Sequence, residues 1–201
     1  MVRVNYKGVT LIEIVVSIAI FTLISGAAVE LFIFMFPRKG DVITEQLSTQ
    51  SETRKVLDDF VNEIRGATYS SIGSYPIAEA SSTEIIFFSN PGAKATRDRV
   101  RYFLDGTLLK KGTIEPSGNP LVYDVGTEVI TEMLHSVVPT TTIFTYYDAA
   151  YTGSESPLVQ PVELGNIKMV GIKVTIDKNP LNSPNSFTTE SKAVIRNLKD
   201  N

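Results

Sequence analysis

The pattern of apolar and polar positions begins with one long uncharged segment. Residues 14–36 are almost entirely apolar, and Glu30 is the only charged residue among them. At 1.5 Å per residue, a helix of this length spans about 34 Å, enough to cross a hydrocarbon layer roughly 30 Å thick. Within lipid, a single segment can satisfy its backbone polar groups only as a helix. The pattern therefore predicts a membrane helix near the start of the chain.

Residues 37–66 show helical spacing of a different kind. Pro37 is expected to interrupt the first helix, because it lacks a backbone donor and clashes with the preceding turn. Gly66 is expected to end the second helix, and residues 46–53, polar apart from Leu47, predict an exposed neck. The apolar residues that recur at three- and four-residue intervals are Ile43, Leu47, Leu57, Phe60, Val61 and Ile64.

From residue 67 onward the pattern changes to short strands. The predicted strands are residues 84–89, 99–104, 108–113, 141–147, 170–176 and 187–197, while residues 128–138 fit either a strand or a helix. Asp105-Gly106 predicts a hairpin, and residues 179–185 predict a turn-rich loop. In the clearest strand, Val170, Ile172, Val174 and Ile176 share one face. A long helix followed by antiparallel strands predicts an α+β fold, with the helix covering one face of the sheet.

The residues around the first apolar segment allow three interpretations. The first is a secretory signal peptide, with Arg3 and Lys7 as its basic region and a small-residue cleavage site at 26–28. Cutting there would leave the apolar residues 29–36 as an end with no burial partner. The second is an ordinary single-pass anchor. It leaves unexplained the carboxylate of Glu13, one turn into the apolar segment, where ionised groups are costly and usually paired.

The third interpretation accounts for all of these features. A short basic leader, residues 1–8, ends at Gly8 and is followed by the string VTLIE and then the apolar run. This arrangement resembles the class III leader of type IV prepilins, with the prepilin N-terminal cleavage and methylation motif. The resemblance implies that prepilin peptidase cuts after Gly8 and methylates the new amine of Val9, where the family usually has Phe. Glu13 becomes the fifth residue of the mature chain, the position at which this family carries its glutamate.

The resemblance gives Glu13 a role in assembly. When such helices pack side by side in a filament, the amine of Val9 and the carboxylate of Glu13 are each costly to bury alone. Paired between neighbouring subunits they satisfy each other, and a misregistered subunit leaves both unpaired. Glu13 is therefore expected to fix the register. The alternative is a glutamate that only extends to the lipid headgroups.

Weaker similarities continue into the rest of the chain. The pieces VRYFLDGTLLKKG, TIFTYYD and VIRN resemble the J-type minor pseudopilins of type II secretion and the W-type minor pilins. The resemblance implies a structural subunit, not an enzyme, and the size of its head suits a place at the filament tip or in initiation. Its expected parts are a cleaved leader (1–8), a transmembrane and filament-core helix (9–36), an amphipathic continuation (37–66) and a globular β-rich head (67–201).

The same resemblance implies where the protein works and with what. The partners are other pilin or pseudopilin subunits, prepilin peptidase, the inner-membrane assembly platform and, before assembly, membrane lipid. The head is expected outside the cytoplasm, with a cell-surface or periplasmic filament after assembly. This orientation comes from the resemblance, because the charges flanking the helix, Arg3 and Lys7 against Arg38 and Lys39, are balanced.

The composition of the chain argues against a metal site, a catalytic site and nucleic-acid binding. The chain has no cysteine, so neither a disulfide nor a thiolate metal site is available, and its only histidine, His135, cannot form a histidine cluster for zinc. A Ser/His/Asp set would have to be built around His135, which we interpret as structural. We therefore predict no catalytic residues, no metal and no cofactor. The net charge is −3, with +2 on residues 1–40 and −5 on the rest, and an acidic body is a poor match for a nucleic-acid binder.

One cluster of cations keeps a second function open. Within the predicted hairpin, Asp98 and Asp105 are outnumbered by Lys94, Arg97, Arg99, Arg101, Lys110 and Lys111. The three arginines share one strand face if the strand begins at residue 97. These six residues, the basic patch, would suit a membrane-anchored surface-binding module, an adhesin or a DNA receptor. The structural alternative is a solvated outer face that protects the strand from aggregation.

Overall fold

The computed structural model describes residues 8–35, 39–90, 92, 94–139, 142–178 and 186–198. The chain divides into two compact units, residues 1–48 and 49–201. The first unit contains helix α1 (Leu11–Met35), and helix α2 (Lys39–Arg65) begins in the first unit and ends in the second. Phe36 and Pro37 lie outside the described residues, so the predicted interruption at Pro37 stays a prediction.

Helix α1 is apolar around its whole circumference. Its side chains from residue 11 to residue 34 are exposed, apart from the half-buried Ser25. Among the described helices, it alone is long and apolar enough, by length and composition, to cross a membrane, over Leu11–Phe34. A helix that is apolar on every side needs lipid or other helices around it. The predicted apolar N-terminal helix is therefore confirmed.

The part of α2 in the second unit buries one face. Leu57, Phe60 and Ile64 are fully buried, and the helix ends at Arg65 just before Gly66, as predicted. Leu47, by contrast, is 62 % exposed, so the predicted apolar stripe is wrong at that position.

The predicted exposed neck is also wrong at two positions, because Thr49 and Thr53 are buried. The Thr53 hydroxyl donates to the Thr49 carbonyl at 2.8 Å. A hydroxyl bonded to the preceding turn of its own helix can be buried at little cost, and polarity along the sequence does not reveal this.

Two antiparallel sheets make up the rest of the second unit. The first has five strands in the order β1-β2-β3-β4-β5, and the second has three in the order β6-β7-β8. Short 3-10 turns occur at Val125–Thr127, Leu164–Asn166 and Arg196–Leu198. The strands are β1 (Ile77–Ala80), β2 (Glu84–Ser89), β3 (Asp98–Asp105), β4 (Leu108–Ile114), β5 (Val129–Leu134), β6 (Phe144–Tyr147), β7 (Met169–Ile176) and β8 (Phe187–Val194). The α+β prediction is confirmed.

Most predicted strands are found, with small changes in their bounds. The ambiguous segment 128–138 contains strand β5, and β8 ends at Val194 before a 3-10 turn, earlier than predicted. Strand β1 was not predicted, because its sequence, IAEA, is poor in strand-forming residues. The hairpin between β3 and β4 is confirmed: Gly106 has φ of +59° at the first of two turn residues, where a type II′ turn requires glycine. Residues 179–185 lie outside the described residues.

The core of the second unit lies between the buried face of α2 and the two sheets. The ring of Phe60 meets Tyr102 of β3 edge-on, with centroids 5.1 Å apart, and lies 5.7 Å from the ring of Phe144 on β6. In β7, Val170, Ile172, Val174 and Ile176 are all buried, which confirms the predicted alternation. One helix residue thus contacts both sheets.

Candidate functional site

The segment before α1 carries the predicted processing residues. Gly8 and Val9 are exposed and lie outside any helix or strand, and a Cβ on Gly8 would meet no atom of the described non-neighbouring residues within 4 Å. The peptide bond between them is therefore sterically accessible just before the helix begins. Cleavage after Gly8 and methylation of Val9 stay predictions.

Glu13 takes part in a capping box with Thr10. The Glu13 N–H donates to Thr10 Oγ1 at 3.4 Å, and the Thr10 N–H donates to Glu13 Oε2 at 3.4 Å. In this motif the two side chains satisfy backbone donors that the first turn of a helix leaves without partners. Thr10 was not among the residues predicted from the sequence, although the spacing T-x-x-E is the signature of a capping box. The carboxylate of Glu13 is thus held at the N-terminal end of its own helix.

The basic patch is mostly neutralised by carboxylates of the same chain. Lys94 pairs with Asp98 at 3.2 Å and contacts Glu115, and Lys110 pairs with Asp105 at 2.7 Å. Arg101 and Lys111 each pair with a glutamate distant in sequence. Four of the six cations therefore already have an anionic partner, and an external anion would have to compete with it.

Arg101 has the most complete set of contacts in the patch. Its Nε and Nη2 donate to the two oxygens of Glu128 at 2.8 and 2.6 Å, and its Nη1 lies 3.4 Å from Glu84 Oε2. The guanidinium also lies 3.8 Å above the ring of Phe103. Hydrogen bonding to Arg101 lowers the pKa of Glu128 below its ordinary value. A bidentate arginine held on both sides serves the fold and is not free for a ligand.

Lys111 lies on the opposite face of the sheet from Arg101. It contacts Glu63 of α2, and the same carboxylate accepts a hydrogen bond of 2.8 Å from the buried Tyr102 hydroxyl. Burial, and then the charge of Glu63, raises the pKa of Tyr102. Since Arg101 and Tyr102 are consecutive on β3, their side chains point to opposite faces. The basic patch is therefore split between two faces of the sheet.

Arg97 and Arg99 are the two residues of the basic patch that have not yet been given a carboxylate partner. The structure records no ion pair for either side chain among the described residues. Arg97 precedes β3, so the condition for three arginines on one strand face is not met. Its backbone is fixed, because its N–H donates to Ser71 Oγ at 2.8 Å and its carbonyl accepts from the Tyr123 hydroxyl at 2.7 Å.

His135 lies on the surface. Its Nε2 is 3.8 Å from a carboxylate oxygen of Glu132, and its side chain is exposed. Over the described ranges, no group of three or more His, Asp or Glu side chains converges in a way that could hold a metal ion.

Comparison with known families assigns the N-terminal segment. Residues 3–29 match the family model described as the prokaryotic N-terminal methylation motif. This supports a type IV prepilin-like leader. The motif includes Gly8, Val9 and Glu13 and ends one residue before Glu30. No curated protein matches the chain.

The methylation motif has consequences for processing and location. It implies processing by prepilin peptidase and assembly with other pilin subunits. A prepilin leader joined to the apolar helix α1 fits an inner-membrane anchor and a surface or periplasmic filament. Pilin-like proteins, whose leader carries this motif, are in general structural rather than catalytic.

Proposed function

We propose that the protein is a minor pilin or pseudopilin, a structural subunit that is cut after Gly8 and enters a type IV pilus or type II secretion-type filament through α1. The observation that carries the proposal is the methylation motif on residues 3–29, which runs into a helix that is apolar on every side. A tip or initiation position suits the two-sheet head.

Both the membrane and the filament require a helix α1 that is apolar on every side. Before assembly, lipid surrounds its exposed apolar side chains, and in a filament the helices of neighbouring subunits replace that lipid. Lipid tails are as apolar as these side chains, so exchanging lipid for another helix brings no hydrophobic gain. Van der Waals packing between the helices then holds the bundle together. The apolar surface favours association without choosing a register, so a specific polar contact has to choose it.

Glu13 supplies that contact. Cleavage after Gly8 creates a charged amine on Val9, four residues before the glutamate. A neighbouring subunit in correct register brings its amine to this carboxylate, whereas a wrong register leaves both charges without partners. Leaving one partner of a buried ion pair alone costs about 3–5 kcal/mol. In the unassembled subunit, the contacts with Thr10 hold the carboxylate ready at the helix end.

Intact-mass analysis of the protein from cells that contain a prepilin peptidase tests the processing step. We expect a mature chain that begins at Val9 and carries a methyl group, and an uncut chain for Gly8→Val. Ala28→Leu is the matched control, because it blocks only the competing small-residue site and should leave the Val9 start unchanged. A wild-type chain that begins at Met1 or after Ala28 contradicts the proposal.

Recovery in sheared filaments tests the assembly step. We expect Glu13→Gln and Glu13→Ala proteins to be processed normally but recovered in filaments at least tenfold less than wild type. Glu30→Gln is the control for removing one carboxylate from the same helix, and its loss should be clearly smaller. Glu13→Ala protein in filaments at wild-type yield would contradict the register role.

A further inference from the structure

Strand β5 is the exposed edge of the five-stranded sheet. Val129 is 67 % exposed and Ile130 is 51 % exposed, and Thr131 and Glu132 are also exposed. Successive side chains of a strand point to opposite faces, so β5 is open on both of its faces. The segment that leads into it adds Val125, which is 67 % exposed.

The backbone of β5 is paired on one side only. Val129 and Thr131 face Thr113 and Lys111 of β4 in the antiparallel register. Beyond β4, the described part of the chain provides no backbone hydrogen bond to any residue of β5. Such an edge offers a row of unpaired N–H and C=O groups to another extended chain, and proteins usually protect it.

The other sheet edges are protected in ways that β5 is not. On β6 the Tyr146 carbonyl accepts from the Leu158 N–H at 2.8 Å, and three of its four residues are buried. On β8, Glu190 and Lys192 form an ion pair at 3.2 Å. On β1, the exposed residues are Ala78 and Glu79. Only β5, among the described strands, exposes two consecutive β-branched aliphatic side chains by more than half.

We propose that β5 is a docking edge for an extended strand of a neighbouring filament subunit, which adds to the sheet next to β5. The inference rests on the proposed function, because α1 brings subunits together. Strand addition uses main-chain hydrogen bonds for affinity and side-chain contacts for specificity. Here the new strand would cover the apolar side chains of Val129 and Ile130.

Charge defines the partner strand further. Glu132 is half exposed and lies 3.8 Å from His135 Nε2, while Lys110, its register neighbour on β4, forms an ion pair with Asp105 at 2.7 Å and also interacts with Glu132. Residues 129–132 carry no cation. Opposite charges facing each other across strands are favourable, so the incoming strand should place Lys or Arg against Glu132. A second copy docked through its own β5 lacks that cation, which favours a different strand as partner.

A single added strand is a small contact. It can still orient two heads, because the membrane helices already hold the subunits together. Two subunits held by their helices present their heads to each other at high effective concentration, so the second contact forms as if within one molecule. Docking at β5 can therefore be weak for isolated heads and still orient them within a filament.

Site-specific cross-linking of the full-length protein in filament-forming cells tests the proposal. The chain contains no cysteine, so one introduced thiol is unique. A photoactivatable cross-linker on Val129→Cys or Ile130→Cys should join the protein to an extended, Lys- or Arg-bearing segment of another subunit, identified by mass spectrometry. Thr188→Cys, exposed on the β8 edge, is the matched control and should give at least tenfold less of that product.

Three outcomes would overturn the proposal, and they differ in what else they overturn. Protein that is present in filaments but not cross-linked from positions 129 and 130 contradicts the docking edge alone. The same holds for cross-links that lead only to β5 of a second copy. Protein that never enters filaments contradicts the proposed function and the docking edge together.

A charge reversal, read out by the same cross-linking, tests the predicted charge complementarity at Glu132. Glu132→Lys, combined with Ile130→Cys, should lower the cross-link yield at least fivefold, while Glu132→Gln should lower it less. Glu79→Lys, an exposed reversal on the opposite edge of the same sheet, should leave it unchanged. Equal loss from Glu79→Lys and Glu132→Lys would show that the effect is not specific to β5, and would contradict the proposal.

Discussion

Arg101 and Glu128 form a bidentate ion pair that reaches across strand β4. Arg101 lies on β3, and Gly112 of β4 is its register partner; on the other side Gly112 faces Ile130 of β5, two residues after Glu128. A Cβ on Gly112 would lie 2.2 Å from Glu128 Oε1. The glycine therefore leaves the space through which the Glu128 carboxylate reaches the Arg101 guanidinium. This ion pair connects β3 to the start of β5 across β4.

Gly112→Ala should destabilise the head by about 1–3 kcal/mol, because the new methyl group displaces Glu128 and weakens its bonds to Arg101. Gly165→Ala is the matched control, since nothing lies within 4 Å of a Cβ there, and its effect should stay within about 0.5 kcal/mol. Denaturant unfolding of the detergent-solubilised protein, followed by tyrosine fluorescence, measures both. Equal stability of the two variants would contradict this account of Gly112.

Glu128→Gln should make the free energy of unfolding less dependent on pH in the acidic range. The pKa of Glu128 is lowered from its ordinary value of 4.5, mainly by hydrogen bonding to Arg101. Its ionised form therefore stabilises the fold fully above pH 4.5, and this contribution is lost as the pH falls through the lowered pKa. The gap in unfolding free energy between wild type and Glu128→Gln should be constant near neutral pH and shrink below 4.5. A gap that persists unchanged in acid would contradict the assignment.

Tyr102→Phe should cost more stability than Tyr146→Phe. Both side chains are buried, but the Tyr102 hydroxyl donates to the Glu63 carboxylate at 2.8 Å, whereas that of Tyr146 donates to the neutral Ser81 carbonyl at 2.7 Å. Hydrogen bonds to charged groups contribute about 1.5–3 kcal/mol and neutral ones about 0.5–1.5 kcal/mol. Thermal unfolding of the two variants compares them. A larger loss for Tyr146→Phe would contradict a stronger contribution from the Tyr102–Glu63 hydrogen bond.

Arg97→Glu with Arg99→Glu is the informative variant for the alternative function, DNA or anionic-polymer binding. Neither arginine forms an ion pair within the described part of the chain, and Arg99 only contributes its charge near Glu128. The double variant should therefore fold with a smaller loss of stability than Arg101→Glu, and abolish any salt-sensitive binding to DNA. Arg101→Glu should instead unfold the head, because it places a carboxylate beside Glu128 and Glu84. Binding measured at several salt concentrations, with unfolding as the control, separates the two. DNA binding that survives the double variant excludes Arg97 and Arg99, the two cations of the patch without an ion pair in the described structure, as its site.

Local patterns in the sequence determined much of the fold. The apolar run from residue 14, the spacing of Leu57, Phe60 and Ile64, and the alternation of 170–176 each repeat with the period of one element. Their structures therefore follow without reference to distant residues. The leader and Glu13 were equally visible, because the methylation motif is contiguous. Even the capping box of Thr10 and Glu13 was present as a spacing of three.

The tertiary structure alone decided which charges are free and which edges are open. Arg101 and Glu128 are 27 residues apart, and Lys111 and Glu63 are 48 apart. No local period connects them, so four cations of the basic patch became separate ion pairs, each with its own carboxylates. The burial of Thr49 and Thr53 and the exposure of Val129 and Ile130 likewise depend on which elements become neighbours. The periodicity of a segment determines whether it forms a helix or a strand. Whether its charged side chains are paired and its apolar side chains are exposed depends on neighbouring elements, which come together only when the chain folds.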